Sequence, residues 1–200
     1  MPTYLALGDS YTIGEAVAAY ERWPAVLVQR LRRGGTPIDE PQIIAVTGWT
    51  TDELAQGMDA AALLPPYDLV TLQIGVNNQY RGRPADDYRA QFAGLLDRAI
   101  ALAGGRAARV VVASIPDWGV TRFACEQGRD RARIAEELDA YNALARAESE
   151  RAGARFVDIT DISRRHPELL ADDGLHPSAA QYALWLEAIE PAVRAALAAP

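Results

Sequence analysis

The sequence YLALGDSY at residues 4–11 predicts the first unit of a parallel α/β sheet. Its first four residues form a short apolar run, typical of a buried strand, and Gly8 and Asp9 then end that strand in a loop. In an open α/β sheet, ligands bind at the loops that follow the carboxyl ends of the strands. Ser10 lies in such a loop, so its hydroxyl is a candidate functional group.

Four more runs of this kind follow along the chain. The predicted strands are residues 4–7, 42–46, 69–74, 109–114 and 155–159. The predicted helices, which are longer and amphipathic, are about 20–33, 51–64, 86–103, 128–152 and a last one between His176 and about 198. Strands that are apolar on both sides of the pleat are typical of a parallel sheet covered on both faces. We therefore expect an α/β fold, a three-layer α/β/α sandwich with a five-stranded parallel sheet, in one domain over 1–200.

Capping residues and loops refine this outline. Thr50 and Glu53 match a capping box at the start of the second predicted helix, and Pro177 suits the first turn of the last one. The long loops at 8–19, 75–85, 115–127 and 160–176 all follow strand ends. Because parallel strands end on the same side of a sheet, these loops should meet along one rim.

The composition excludes several classes of protein. The net charge of -7 argues against a nucleic-acid partner, which would need a basic surface. All 20 basic residues are arginine, so Schiff-base chemistry and a lysine-containing phosphate loop are excluded. The single cysteine, Cys125, cannot form a disulfide within the chain, and we expect it to be a buried or half-buried packing residue.

The chain has no apolar run of about 18 residues, the length needed to span a membrane. The first predicted strand starts almost at Met1, which leaves no room for a signal peptide. A cytoplasmic location is therefore expected, and a secreted form whose leader has been removed stays open. Nothing in the pattern indicates an oligomeric state.

Ser10 needs other groups before its hydroxyl becomes a nucleophile. A base must take the proton, and an imidazole suits this transfer at neutral pH. His176 is a candidate because Asp173, three residues earlier, can hold one ring nitrogen and orient the ring. Fixed N–H donors must also stabilise the negative charge on the substrate oxygen. The candidates are the backbone amides of Ser10 and Gly48 and the side-chain amide of Asn77.

Several of these candidates have competitors. The other histidine, His166, lacks the Asp-x-x spacing, and that spacing also favours Asp173 over Asp172. Asn78 competes with Asn77, whose nearness to the preceding glycine favours it, and Gly48 has the alternative of a plain turn glycine. Four aromatic residues lie in segments that follow predicted strands, and each either lines a substrate pocket or closes the edge of the core. They are Trp49, Tyr80, Trp118 and Phe123.

Four blocks of the sequence, taken in order, resemble those of the SGNH, or GDSL-type, esterase and lipase family. They are Gly8-Asp9-Ser10, Gly48, Gly75-Val76-Asn77 and Asp173-Gly174-Leu175-His176. The resemblance covers nearly the whole chain, and the order of the four blocks makes it specific. It implies a flavodoxin-like fold and ester hydrolysis without a metal or a cofactor.

The resemblance also implies roles for individual residues. Ser10 is the implied nucleophile, His176 the base and Asp173 the acid that supports it. The implied oxyanion donors are Ser10, Gly48 and Asn77.

Two residues depart from the family pattern. Tyr11 replaces the leucine of the GDSL name, at a position that we expect to pack rather than react. Asn78 replaces the aspartate that follows the family asparagine. An amide serves there if the side chain only holds the loop by hydrogen bonds, whereas activity would change if its charge matters.

The residues and the resemblance together predict a serine esterase that uses an acyl-enzyme intermediate and takes a small-molecule ester as its partner. A chain of 200 residues has no room for a large lid domain, which favours small or water-soluble esters. Two alternatives stay open: lysophospholipase or thioesterase activity, and a non-catalytic carbohydrate-binding module on the same fold.

Overall fold

In a computed structural model, which describes residues 1–199, five parallel strands form one sheet. The strands are β1 (Tyr4–Gly8), β2 (Gln42–Ala45), β3 (Leu69–Gln73), β4 (Val110–Ala113) and β5 (Arg155–Val157). Their order across the sheet is β2-β1-β3-β4-β5, and every neighbouring pair is parallel. This is the strand order of flavodoxin-like sheets. The predicted α/β fold with a five-stranded parallel sheet is therefore confirmed.

Helices connect and cover the strands. They are α1 (Ser10–Ile13), α2 (Trp23–Arg33), α3 (Thr51–Ala60), α4 (Val76–Tyr80), α5 (Ala85–Leu102), α6 (Arg122–Glu126), α7 (Arg131–Ala152), α8 (Thr160–Arg165) and α9 (Ala179–Leu197). Helix α2 packs against α9, while α5 packs against α3 and α7. Because β2 and β3 lie on opposite sides of β1, right-handed crossovers require α2 and α3 to cover opposite faces of the sheet.

The loops that were predicted at the strand ends contain short helices. These helices are four to six residues long: α1 follows β1, α4 follows β3, α6 follows β4 and α8 follows β5. Segments this short do not display a hydrophobic period, which is why the sequence pattern missed them. The long helices and all five strands lie where they were predicted, with ends that differ by a few residues.

The centre of the sheet is apolar and its few polar groups are paired. All residues of β1 and β3 are buried. The indole nitrogen of Trp23 donates to the side-chain oxygen of Gln73 at 3.2 Å, and the Gln73 amide donates to the carbonyl of Ser114 at 3.2 Å. Such pairing is required because a buried polar group without a partner destabilises the fold. Gln73 thereby ties the carboxyl end of β3 to α2 and β4.

The two capping predictions have different outcomes. The carboxylate of Glu53 accepts the backbone amide of Thr50 at 2.8 Å, so the predicted capping box at α3 is present. The prediction for Pro177 is wrong, because Ser178 caps α9 by accepting the amide of Gln181 and Pro177 precedes that cap. A proline suits this place as well, since the residue before a cap is outside the helix.

The prediction for Cys125 is also wrong. Its side chain is exposed on α6 rather than packed in the core. Helix α6 is only five residues long and buries Ala124, so the residue next to Ala124 points away from the core. Over residues 1–199, no helix has both the length and the apolar character needed to cross a membrane.

Two glycines inside helices should respond oppositely to alanine. A Cβ at Gly94 in α5 meets no atom within 4 Å, whereas one at Gly57 in α3 would lie 2.2 Å from the ring of Trp49. We expect Gly94→Ala to stabilise the protein by roughly 0.5–1 kcal/mol, because alanine loses less backbone entropy on folding. We expect Gly57→Ala to destabilise it by about 1–3 kcal/mol, since the indole must move.

Urea unfolding of the two variants beside the unsubstituted protein measures both changes. An equal gain in the free energy of unfolding at both positions would contradict the packing of Trp49 over Gly57.

Candidate active site

A cavity of about 220 Å³ opens at the carboxyl ends of the strands. After β1 the chain crosses toward one edge of the sheet, and after β3 it crosses toward the other. The cavity lies beside this topological switch point, which is where open α/β sheets bind ligands. The residues that line it are Ser10, Tyr11, Val76, Asn77, Tyr80, Trp118, Phe123, Leu175 and His176. All four loops that were predicted to meet along one rim therefore contribute to one cavity.

Ser10 is the first residue of α1 and is 4% exposed. The turn from β1 into α1 needs a residue without a side chain, because a Cβ at Gly8 would lie 2.6 Å from the carbonyl oxygen of Gln73 and 2.1 Å from Thr12 Oγ1. The backbone amide of Ser10 donates to no other group within residues 1–199. Both the hydroxyl and the amide of Ser10 are therefore available at the cavity.

His176 and Asp173 are in direct contact. The distance from His176 Nδ1 to Asp173 Oδ2 is 2.6 Å, and Asp173 Oδ1 accepts the backbone amides of Leu175 and His176 at 2.9 Å each. A proton on Nδ1 is thus donated to the carboxylate, which leaves Nε2 as an acceptor. His176 is 9% exposed and lines the same cavity as Ser10.

The charge of Asp173 is maintained by these contacts. Partial burial by itself would raise the pKa of the Asp173 carboxyl, but the hydrogen bonds from the His176 ring and from the amides of Leu175 and His176 hold that pKa below its ordinary value. A carboxylate that stays charged at neutral pH can stabilise an imidazolium beside it.

The competing residues lie elsewhere. His166 follows α8, with Nδ1 3.5 Å from a carboxylate oxygen of Glu168, and it lines a separate surface groove. Asp172 contacts Arg122 through its backbone carbonyl, at 2.9 Å. The structure therefore brings Asp173, and not Asp172, to the histidine of the cavity.

Gly48 lies in a turn after β2. The amide of Trp49 donates to the carbonyl of Val46 at 3.2 Å, which closes the turn with Gly48 in its third position at a φ of 87°. Glycine suits this position because other residues rarely adopt a positive φ. The Gly48 amide has no acceptor in the described part of the chain, and its carbonyl accepts from Arg81 at 2.7 Å. Gly48 is not among the residues that line the cavity.

Asn77 is held against the same turn. Its side-chain nitrogen donates to the carbonyl of Trp49 at 2.9 Å, which uses one of its two N–H groups. Asn77 also lines the cavity, so the second N–H is available there. The structure therefore has free N–H groups on Ser10, Gly48 and Asn77, the three predicted oxyanion donors.

Three of the four predicted aromatic residues form a wall of the cavity. The rings of Tyr80 and Trp118 are 5.3 Å apart and those of Trp118 and Phe123 6.4 Å apart, measured between centroids. Trp118 is fixed by a hydrogen bond of 2.8 Å from its indole nitrogen to Gln79. Trp49 does not join them, because its ring packs over Gly57 on α3.

The sequence pattern did not single out Val76 and Leu175 as lining residues, although each is next to a predicted site residue in the chain. Tyr11 lines the cavity too, and its ring meets those of His176 and Trp185 edge-on at 5.9 and 6.0 Å. The departure from leucine at position 11 therefore places an aromatic ring beside the histidine.

Asn78 is buried and does not reach the cavity. Its side-chain oxygen accepts the backbone amide of Thr51 at 3.0 Å, and its nitrogen donates to the Thr51 hydroxyl at 2.7 Å. The Thr51 hydroxyl donates in turn to Gln91. Because this hydroxyl is already a donor, the group facing it has to be a donor as well, and an amide provides one where a carboxylate would not. The hydrogen bonds around position 78 therefore suit the asparagine that stands here in place of the family aspartate.

Asp9 is a buried carboxyl directly before Ser10. Its Oδ1 accepts the amide of Tyr11 at 3.1 Å, and its Oδ2 has no hydrogen-bond partner within residues 1–199. Burial raises the pKa of Asp9 to about 7, and the amides of Tyr11 and Gly75 lower it only in part. This carboxyl therefore changes its charge near neutral pH.

The raised pKa of Asp9 should make the protein less stable as the pH rises. In the unfolded chain the carboxyl has its ordinary pKa of 3.8, so the folded protein holds more protons between that pH and about 7. The contribution of Asp9 is most favourable below about pH 4 and declines by up to about 4 kcal/mol by about pH 7. We expect Asp9→Asn to flatten this decline, measured as the free energy of unfolding in urea across that range. If the free energy of unfolding of Asp9→Asn fell with pH as steeply as that of the unsubstituted protein, the raised pKa of Asp9 would be contradicted.

Solved structures resemble this fold over nearly its whole length. TesA superposes with a TM-score of 0.75 at 19% sequence identity, over 97% of this chain and 99% of TesA. The psychrotrophic esterase EstA from Pseudoalteromonas sp. gives 0.73 at 18% identity, over 97% of each chain. Axe2, an acetylxylan esterase from Geobacillus stearothermophilus, gives 0.73 at 18% identity, over 100% of this chain and 95% of Axe2. At such identities the likeness shows a shared fold.

Sequence comparisons address the family directly. A comparison with curated protein sequences finds no significant match. The model of the GDSL-like Lipase/Acylhydrolase family, in contrast, matches residues 6–184, a span that holds all four sequence blocks. The chain therefore belongs to the GDSL-like lipase/acylhydrolase family and is a carboxylic ester hydrolase.

Proposed function

We propose that this protein is a serine esterase in which Ser10 is the nucleophile, His176 the general base and Asp173 the residue that orients the base. The observation that carries the proposal is the 2.6 Å contact between His176 and Asp173, together with the position of His176 in the same cavity as Ser10. One member of the Axe2 structures, described as a catalytic mutant, has a serine replaced by alanine, which is consistent with a serine nucleophile in a protein of this fold.

The reaction proceeds in two halves. The Ser10 hydroxyl attacks the ester carbonyl while His176 Nε2 takes its proton, and Asp173 stabilises the imidazolium that forms. The tetrahedral intermediate collapses when His176 returns the proton to the leaving alcohol, which leaves an acyl-enzyme. Water then attacks the acyl group by the same route, and the acid is released from Ser10.

Negative charge develops on the former carbonyl oxygen in both halves. The proposed donors to it are the backbone amides of Ser10 and Gly48 and the side-chain amide of Asn77. Free N–H groups on all three residues support this role, since donors already committed elsewhere would have to break a hydrogen bond to serve.

The cavity favours a small substrate. Its volume of about 220 Å³ lies below the roughly 300–1,000 Å³ of pockets that take drug-sized ligands. Aromatic and aliphatic side chains form most of its lining, which suits a short acyl group or a small ring better than a charged one. We therefore propose small or water-soluble esters as substrates. Axe2 is described as an acetylxylan esterase and EstA as an esterase, which agrees with this range.

Replacing Ser10 tests the proposal. We expect Ser10→Ala to abolish hydrolysis of a p-nitrophenyl ester, because alanine lacks the hydroxyl that forms the proposed acyl-enzyme. A panel of esters with acyl chains of increasing length, assayed with the same purified protein, should show a decline once the chain exceeds the cavity. Retained turnover by Ser10→Ala would overturn the proposal.

The same panel separates the alternatives. A thioester or a lysophospholipid hydrolysed faster than every simple ester would replace the proposed substrate class. Absence of labelling by a fluorophosphonate probe, combined with binding of an oligosaccharide, would instead support a non-catalytic module.

Asn77 should affect kcat rather than substrate binding. We expect Asn77→Ala to lower kcat by about 10²–10³-fold with a much smaller change in KM, because the donor acts on charge that exists only in the transition state. Asn77→Asp has nearly the same shape but no N–H, so its loss should be at least as large. Steady-state kinetics at constant pH measure both variants, and a loss of kcat below about fivefold in each would exclude this role.

A further inference from the structure

Two side chains of helix α4, and the side chain of the residue that follows it, hold the segment that contains the Gly48 turn. Asn77 donates to the carbonyl of Trp49, Asn78 pairs with the backbone and hydroxyl of Thr51, and Arg81, directly after α4, donates to the carbonyl of Gly48. The turn that carries one proposed oxyanion donor is thus attached to the helix that carries another.

Arg81 makes a hydrogen bond to Gly48 itself. Its Nη2 donates to the Gly48 carbonyl at 2.7 Å, and its Nη1 lies 3.3 Å from a carboxylate oxygen of Glu53. Its backbone amide donates to the carbonyl of Asn77 at 3.1 Å. One residue therefore connects Gly48 and Asn77 through hydrogen bonds at both ends.

The Gly48 peptide needs such a contact. A glycine with a φ of 87° lacks the Cβ that would restrict its backbone, so its peptide groups can rotate at little cost. The peptide that joins Gly48 to Trp49 is held at its N–H end by the carbonyl of Val46 and at its oxygen end by Arg81. The Gly48 N–H belongs to the preceding peptide, so these two hydrogen bonds act on it through the Cα of Gly48, which they hold in place. Without the guanidinium, the peptide that follows this Cα keeps only the hydrogen bond of 3.2 Å to Val46.

We propose that Arg81 is a positioning residue of the oxyanion hole: its guanidinium holds the Gly48 carbonyl, which fixes the Cα of Gly48 and thereby keeps the Gly48 amide directed at the oxyanion formed on Ser10. The inference rests on the proposed serine esterase function. Arg81 itself touches neither the nucleophile nor the base, and it is not among the residues that line the cavity.

Two other roles for Arg81 make different predictions. As a purely structural residue it would act through its ion pair with Glu53, which joins side chains that are 42% and 35% exposed, and exposed pairs of this kind contribute little to stability. As a binding residue it would contact the substrate and change KM. A positioning role changes kcat and leaves KM and thermal stability nearly constant.

A matched control lies two residues further along the chain. Arg83 forms an ion pair with Asp52, also in the first turn of α3, but makes no contact with Gly48. Arg83→Ala therefore removes the same charge and the same kind of ion pair while leaving the Gly48 turn untouched. We expect its kcat to stay within about twofold of the unsubstituted protein, since it removes no donor from the site.

The experiment compares Arg81→Ala and Arg81→Lys with Arg83→Ala on one small chromogenic ester. We expect Arg81→Ala to lower kcat by about 10–100-fold, less than the outright loss of a donor, with KM changed by less than about twofold. Arg81→Lys keeps a charged donor and should recover part of the loss. Added ethylguanidinium should also restore part of the activity of Arg81→Ala.

A readout specific to the oxyanion comes from inhibition. A trifluoromethyl ketone forms a tetrahedral adduct with a serine nucleophile and places its oxygen in the oxyanion hole. Its inhibition constant should rise for Arg81→Ala by the same factor by which kcat falls, whereas the inhibition constant of the product alcohol, which places no group in the oxyanion hole, should not change. Melting temperatures measured in parallel show whether each variant is folded, and Arg81→Lys carries the test if the alanine variant is not.

Several outcomes would overturn the inference. These are a kcat of Arg81→Ala within about threefold of the unsubstituted protein, an equal loss in Arg83→Ala, or a rise in KM without a fall in kcat. Ser10→Ala is assayed alongside. Turnover by Ser10→Ala overturns the proposed function, while an inactive Ser10→Ala with a fully active Arg81→Ala overturns only the role of Arg81.

Discussion

The pairing of β1 with both β2 and β3 is the constraint on which the site depends. Because β1 lies between these two strands, the loops that follow them end side by side. Ser10 follows β1, the Gly48 turn follows β2 and Asn77 follows β3. All residues of β1 and β3 are buried, so a slip by one residue would exchange the side chains packed against the two helix layers and disrupt close packing on both faces. The register in turn sets the relative heights of the three loops.

Hydrogen bonds outside the cavity determine the positions of the groups inside it. The indole of Trp118 is held by Gln79, whose nitrogen donates to the carboxylate of Glu137 at 2.7 Å. Asp173 is likewise held by backbone amides while it contacts the ring of His176. A buried polar group without its partner is costly, so each of these side chains has one favoured arrangement. The cavity is thereby shaped before a substrate enters it.

Much of the fold and part of the site could be predicted from local patterns. The five strands are short apolar runs, and the contact of Asp173 with His176 joins residues only three positions apart, so both depend on nearby residues. The short helices α1 and α4 could not be predicted, because four or five residues do not show a helical period. The exposed side chain of Cys125 was missed because composition describes residue types and not the direction of a side chain.

The sequence by itself determined the strand and helix alternation, the family and the residues that are candidates for the chemistry. Only the tertiary structure decided which aromatic side chains face the cavity, as Trp118 does, and which face a helix, as Trp49 does over Gly57. It also decided that Arg81 meets the carbonyl of Gly48, 33 positions away in the chain. Contacts of this kind depend on how packed elements are oriented toward each other, and no period or spacing within one segment encodes that orientation.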